Sequence, residues 1–189
     1  MRIITGKAKG VKLITLEGED VTRPTAERVK EAVFSMLQFD IEGRSILDLF
    51  AGSGQMALEA LSRGADSAIL VDKSREAISV IKKNVEKTGM SEKCTVVMSD
   101  YMDFIKRNRS KKFDIVFIDP PYKAEMYAPA LTALKENDII KTTSMLVCEC
   151  DADYDISSDA RITKHYNIMK QSKYSRSVIT IFEPKKEGE

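Results

Sequence analysis

The chain has 189 residues, 43% of them hydrophobic and 31% charged, with a formal net charge of +1. That length suits a single domain with a sizeable core. No apolar run approaches a membrane span, and the N-terminus has no secretory hydrophobic segment, so no membrane partner and a cytoplasmic location are expected. The near-neutral charge excludes a global field that would draw the protein to a polyanion. The signs are nonetheless sorted along the chain, which permits a local basic face. Arg2, Lys7, Lys9 and Lys12 crowd the N-terminus, Lys106, Arg107, Arg109, Lys111 and Lys112 crowd one loop, and Glu149 to Asp159 is acidic. The three cysteines, Cys94, Cys148 and Cys150, have no metal-ligand spacing and read as reduced core thiols. His165 is the only histidine, which argues against histidine triads and histidine-rich metal sites; no metal site is expected.

In chain order, residues 2–5 and 11–16 read as short strands around Gly6-Lys7-Ala8-Lys9-Gly10, a hairpin with basic residues near its turn. A polar connection leads to Arg23-Pro24-Thr25, with Thr25 as a candidate N-cap. A helix follows with Val29, Ala32, Val33, Met36 and Leu37 on one face. Strand and helix units then alternate: strands at 46–50, 67–71, 95–98 and 113–118, helices at 55–63, 74–87 and 101–106. Pro129 suits the first turn of the next helix, which leaves 123–128 irregular. A fifth strand spans 144–149, and 161–170 with 177–183 form a closing antiparallel pair. Repeated βα units predict an α/β, doubly wound, mainly parallel sheet with helices on both faces. The whole chain reads as one domain: an N-terminal hairpin extension over 1–22, a core over 23–183 and a frayed tail over 184–189.

Two stretches carry chemistry. The first is Asp48-Leu49-Phe50-Ala51-Gly52-Ser53-Gly54, between a strand and a helix. Extended to Ala57, it satisfies the dinucleotide fingerprint G-x-G-x-x-A, and Asp72 at the end of the next strand sits where a ribose-binding acid is wanted. This pattern points to an adenosine-containing cofactor and leaves a nicotinamide enzyme open. Asp48, four residues before Gly52, could meet the ammonium of a methionine moiety, and Asp100, after the third strand, could accept from an adenine amine.

The second stretch is Phe113 to Tyr122, FDIVFIDPPY. A nearly unbroken apolar run, as in a strand covered on both faces, is cut by two prolines that cannot donate backbone hydrogen bonds. The amine on a nucleobase is a poor nucleophile because its lone pair is delocalised into the ring. The Asp119 carboxylate and the Pro120 carbonyl could each accept one of its hydrogens and turn the lone pair towards an electrophile. Tyr122 offers a face on which a base can stack. That chemistry suits methyl transfer to nitrogen and has no evident use in hydride transfer, which favours S-adenosylmethionine.

FAGSG together with DPPY resembles the class I amino-methyltransferases that act on nucleobases. The order MRIITGKAKG, RPTAERVKEAVF, LDLFAGSG, LEALSRGA and IDPPY is similar to the bacterial 16S ribosomal RNA guanine-N2 methyltransferase family, over Met1 to about Phe182. The resemblance implies a seven-stranded Rossmann-like methyltransferase sheet with an antiparallel C-terminal strand pair and a small N-terminal β-hairpin. It implies that Asp48, Phe50, Ala51, Gly52 and Gly54 line the methionine and ribose end of S-adenosylmethionine, that Asp72 binds the ribose hydroxyls, and that Asp100 and the backbone of Tyr101 bind adenine. Asp119, Pro120 and Tyr122 would hold the guanine. The partner implied is 16S ribosomal RNA within a partly or fully assembled small subunit, with no obligate protein partner. Arg2, Lys7, Lys9, Arg23, Thr25 and Arg28 are expected on the RNA side. The family's final hairpin usually carries Tyr-Gly, where this chain has Tyr174-Ser175. The rival readings are a DNA adenine or cytosine amino-methyltransferase, whose target-recognition domain would find little room here, and a non-catalytic RNA-binding assembly factor.

Overall fold

The computed structural model describes residues 1–16, 24–121, 123–174 and 176–186. Seven strands form one sheet: β1 (Ser45–Asp48), β2 (Ser67–Asp72), β3 (Cys94–Met98), β4 (Phe113–Ile118), β5 (Ile140–Asp151), β6 (Tyr166–Tyr174) and β7 (Ser177–Pro184). Their spatial order is β3-β2-β1-β4-β5-β7-β6. The pairings among β1 to β5 are parallel, and β7 runs antiparallel between β5 and β6. The mainly parallel sheet with an antiparallel closing pair is therefore present as expected. The helices are α1 (Pro24–Met36), α2 (Gln55–Ser62), α3 (Arg75–Thr88), α4 (Tyr101–Arg107), α5 (Lys123–Glu136) and a short α6 (Ala160–Thr163).

The alternation of side chains along the central strands makes two cores. Ile46, Ile115 and Phe117 face one side with residues of α1, α2 and α3, and Phe34 meets Phe117 at 5.9 Å between ring centroids. Leu47, Val116 and Ile118 face the other side with Phe104 of α4 and Tyr127 and Leu131 of α5. Every residue of β4 is buried, which is why its sequence is apolar almost throughout. Right-handed crossovers account for the two layers: β1-α2-β2-α3-β3 winds one way from β1, and the passage through α4 to β4 returns past β1 and winds the other way.

The residues depart from the expected elements at five places. The N-terminal segment turns back on itself, with the Ile3 amide donating to the Val11 carbonyl at 3.0 Å and the Gly10 amide to the Ile3 carbonyl at 2.8 Å. Its only antiparallel bridge is Arg2 with Lys12, so it is an arm rather than two strands. Backbone groups of the arm left outside these bonds go to side chains of α1, α2 and α3. Thr25 is inside α1, because Pro24 takes the first helical position, where its missing N–H costs nothing. Residues 123–128 are helical: α5 starts at Lys123 and runs through Pro129. An interior proline costs about 3 kcal/mol. Here the cost is offset by burial of Tyr127, Ala128, Ala130, Leu131, Ala133 and Leu134, at roughly 1.5–3 kcal/mol for each large side chain. β5 begins at Ile140, ahead of the expected 144, with a register shift against β4 between Phe113 and Ile115. Residues 160–163 are α6, and β6 starts only at Tyr166.

A buried polar network docks the arm. Glu59 of α2 is fully buried, and its two carboxylate oxygens accept from the amides of Ile4 at 2.7 Å and Thr5 at 3.0 Å. Arg63 Nε donates to the same carboxylate at 2.8 Å, and Lys30 Nζ stands 3.7 Å away. Lys30 also donates to the Arg2 carbonyl at 2.6 Å. Burial pushes the Lys30 ammonium below its usual range, while Glu59 pulls it back. Gly6 has φ +87°, and a Cβ there would lie 1.8 Å from the Ser62 carbonyl oxygen, so only glycine fits this turn against α2. Truncating Glu59 leaves Lys30 buried without its anion and orphans two arm amides. Glu59→Ala is therefore expected to cost about 3–5 kcal/mol in urea unfolding. A loss no larger than that of an exposed control would remove the network from the fold's energetics.

Candidate active site

β1 ends at Asp48, and its side chain is buried at the floor of the following loop, 4% exposed. Asp48 Oδ2 accepts from the Ala57 amide in the first turn of α2, at 3.3 Å. The loop stays pinned to the strands on both sides: the Leu49 amide donates to the Phe117 carbonyl at 3.1 Å, and the Ala51 amide to the Val71 carbonyl at 2.9 Å. Gly52 and Gly54 have φ of 54° and 79°. At Gly54 the positive φ favours glycine, and a Cβ there would also press on Leu70 Cδ2 at 2.8 Å.

Asp72, at the end of β2, ties this loop to the next unit. Its Oδ2 accepts from the Gly52 amide and its Oδ1 from the Ser74 amide, each at 2.9 Å. A carboxylate has about four acceptor positions, so both oxygens keep lone pairs for further donors. Asp100 caps α4, with Oδ1 accepting from the Met102 amide at 2.8 Å. Tyr101 begins α4, and its ring meets that of Phe50 at 5.1 Å and 44°. Burial raises the Tyr101 phenol above its usual range, and Asp100 adds to the shift. Asp119 follows β4 at the same edge and is exposed; Pro120 is buried and Pro121 exposed.

The charges at this edge interact. Burial raises the Asp48 carboxyl to about 7, against the Ala57 hydrogen bond, and the negative charges of Asp119 and Asp72 push it further. Asp119 likewise raises the Tyr127 phenol, after burial as the larger cause. Carboxylates gathered this way, one of them desolvated, would be relieved by a cationic ligand. Gln55 Oε1, at the first position of α2, is buried with no hydrogen-bond partner. A ligand that brings a donor and a positive charge fits both observations. Among the described residues, no group of three or more histidine, cysteine or acidic side chains could hold a metal ion.

The structure therefore brings Asp48, Phe50, Ala51, Gly52, Gly54, Asp72, Asp100, Tyr101, Asp119 and Pro120 to one edge of the sheet. Arg23 and Tyr122 lie outside the described residues, as does the side chain of Thr25. Arg28 is exposed on α1. Arg2 is exposed and pairs with Glu27, Nε to Oε1 at 3.0 Å. Lys7 and Lys9 are exposed on a turn held at the far end of α2, where the Lys7 amide donates to the Ser62 carbonyl at 2.8 Å. The glycine loop is at the other end of that eight-residue helix, about 12 Å along its axis. Sequence reading did not single out Gln55 or Asn84. Asn84 had a signal: it is a lone amide three residues after Ile81, on the apolar face of α3.

The Asp48 shift has a stability consequence. The folded-state value is raised above the unfolded one, so the fold binds this proton more tightly. Its contribution is fully present below the unfolded value near 4 and is lost as pH rises to about 7. Asp48→Asn should therefore gain thermal stability relative to the natural chain as pH rises through that window, with a plateau above it. Parallel melting curves against pH would refute the shift.

Comparison with known proteins adds the following. The family model described as conserved hypothetical protein 95 matches residues 1–183. Ribosomal RNA small subunit methyltransferase D of Haemophilus influenzae is 36% identical over 155 residues, covering 81% of this chain and 80% of that protein. The solved structure of a hypothetical protein from Thermus thermophilus, TTHA0928, superposes with a TM-score of 0.78 at 27% identity, covering 97% of this chain and 99% of that one. A ribosomal protein L11 methylase from Lactobacillus delbrueckii subsp. bulgaricus shares the fold alone, with a TM-score of 0.72 at 14% identity over 87% of this chain and 81% of that one.

Proposed function

The chain belongs to the conserved hypothetical protein 95 family, and from that premise we propose that it transfers a methyl group from S-adenosylmethionine to the exocyclic 2-amino group of a guanine in 16S ribosomal RNA. The observation that carries this reading is the pairing of a desolvated acid, Asp48, with an exposed acid, Asp119, at the ends of adjacent parallel strands. One suits the cationic end of a cofactor and the other the amine of a base. The 36% identity to ribosomal RNA small subunit methyltransferase D supports RNA as the substrate class.

S-adenosylmethionine, when bound, supplies an electrophilic methyl on a sulfonium. The chain's own residues position the reactants. Asp48, Phe50 and the glycine-loop backbone line the methionine and ribose end, Asp72 binds the ribose hydroxyls, and Asp100 with the Tyr101 backbone binds the adenine. The guanine leaves its stack to enter the edge of the sheet. The Asp119 carboxylate and the Pro120 carbonyl accept its two amine hydrogens and aim the nitrogen lone pair. Such orientation can lower a barrier by roughly 7–11 kcal/mol. The methylated nitrogen is strongly acidic, so its proton leaves to water and Asp119 acts by hydrogen bonding. Neither step requires a covalent enzyme intermediate. The site of action is cytoplasmic, on a partly or fully assembled small subunit. Residues 1–22 form the extension and 23–183 the catalytic core, to which Pro184 belongs as the last residue of β7, and the tail follows it.

Labelled methyl should pass to RNA of partially assembled small subunits and be recovered as N2-methylguanosine on nucleoside analysis. Recovery as a different methylated nucleoside would overturn the guanine assignment, and label in DNA alone would favour the DNA reading. Asp119→Ala should slow transfer by about 10²–10³-fold while S-adenosylhomocysteine affinity in calorimetry stays close to that of the natural chain. Full turnover would remove Asp119 from the mechanism. RNA affinity should fall linearly in log–log plots against salt, and Lys9→Ala should reduce the slope by roughly 0.7–0.9. An unchanged slope would take the turn at Lys9 out of the interface.

A further inference from the structure

Asn84, on the inward face of α3, is completely buried. Its Oδ1 accepts from the Ile14 amide at 2.8 Å, and its Nδ2 donates to the Ile14 carbonyl at 2.9 Å. The same Nδ2 donates its second hydrogen to the carbonyl of Ser53, in the glycine loop, at 2.9 Å. The amide orientation follows from this set. Exchanging oxygen and nitrogen would face a donor with the Ile14 amide and an acceptor with two carbonyls. Both side-chain hydrogens are used. One buried group thus replaces a strand partner for the N-terminal arm and anchors the loop between Gly52 and Gly54.

We propose that Asn84 is a positioning residue that couples the N-terminal arm to the glycine loop, so that cofactor occupancy and engagement of the arm by RNA reinforce each other. This rests on the reading of the site as a cofactor loop and of the arm as part of the RNA-binding side. Three points support it. Ser53 is flanked by two left-handed glycines, so the loop has little intrinsic preference for one conformation, and a fixed donor on its carbonyl selects one. Beyond the backbone bonds within the arm itself, side chains of α1, α2 and α3 bond its backbone at Arg2, Ile4, Thr5, Ala8 and Ile14. Asn84 is the link that touches arm and loop at once. Displacing either Ile14 or Ser53 leaves a buried amide hydrogen unsatisfied, so the placement of Asn84 that suits one segment is also the one that suits the other. Linkage then requires that what one ligand does for the other is returned equally.

The test is S-adenosylhomocysteine calorimetry on the full chain with and without a small-subunit RNA fragment. In the natural chain RNA should tighten S-adenosylhomocysteine binding at least about fivefold. Asn84→Ala should weaken binding without RNA by about five- to tenfold, as loss of one buried hydrogen bond implies, and bring the RNA effect close to onefold. Thr88→Val lies one turn on and removes a buried hydroxyl that bonds the Asn84 and Val85 carbonyls. It should lose stability yet keep the RNA effect. A second measurement needs no variant: the Ile14 amide, whose acceptor is Asn84, should exchange its hydrogen about fivefold more slowly once S-adenosylhomocysteine is bound. Unchanged exchange at Ile14, or an RNA effect that survives in Asn84→Ala, overturns the coupling while leaving the methyltransferase reading intact. Failure of the natural chain to bind S-adenosylhomocysteine at all would overturn that reading itself.

Discussion

The parallel pairing of β1 with β4 is the constraint on which the molecule depends. Ile46, Leu47 and Asp48 lie opposite Ile115, Val116 and Phe117. At that seam the chain changes its winding direction, so the helices that follow β1 and β4 leave on opposite faces. In open α/β sheets such a reversal of winding is where ligands bind, beyond the carboxyl ends of the strands. Everything with chemical character converges there because parallel strands all present their C-terminal ends to one edge. The glycine loop leaves β1 at the seam, and Asp119 leaves β4 beside it.

Burial at the seam then sets the electrostatics. Asp48 is held at the base of a loop whose amides are already committed to Phe117, Val71 and Asp72. Only one backbone hydrogen bond compensates its desolvation, and two further acids share the edge. Ionising Asp48 in the folded chain is therefore unfavourable, and a neighbouring cation would relieve that penalty. By contrast Asp114, at the start of β4, has Lys141 at 2.7 Å and Ser45 as partners, and its carboxyl is held down to about 2. Two acids sit near opposite ends of adjacent strands, one saturated with donors and one starved of them.

The N-terminal arm shows how a segment with little regular pairing can still be firmly placed. Its amides are satisfied by the side chains of Glu59, Ser62 and Asn84. Each of these belongs to a helix of the first βα units: Glu59 and Ser62 hold the arm at the far end of α2, and Asn84 holds it beside the glycine loop. It also bridges α1 through Lys30 and Glu27.

Local patterns were enough to read the order of strands and helices, the parallel sheet and the closing antiparallel pair, because burial on both faces writes apolar runs and burial on one face of a helix writes a 3.6-residue period. The glycine loop and Asp119-Pro120-Pro121-Tyr122 were also legible as motifs, since each is contiguous in sequence. What needed the tertiary structure was every outcome decided by partners distant in the chain. α5 runs through Pro129 because its flank is buried, against its local preference. The arm keeps only a short antiparallel pairing because helix side chains accept and donate for the rest of its backbone. Asp48 has its raised carboxyl because the folded chain buries it and, to a lesser degree, because Asp119, 71 positions on in the numbering, returns to the neighbouring strand end. Periodicity and turn chemistry are properties of neighbours in sequence, whereas desolvation and charge repulsion are properties of neighbours in space.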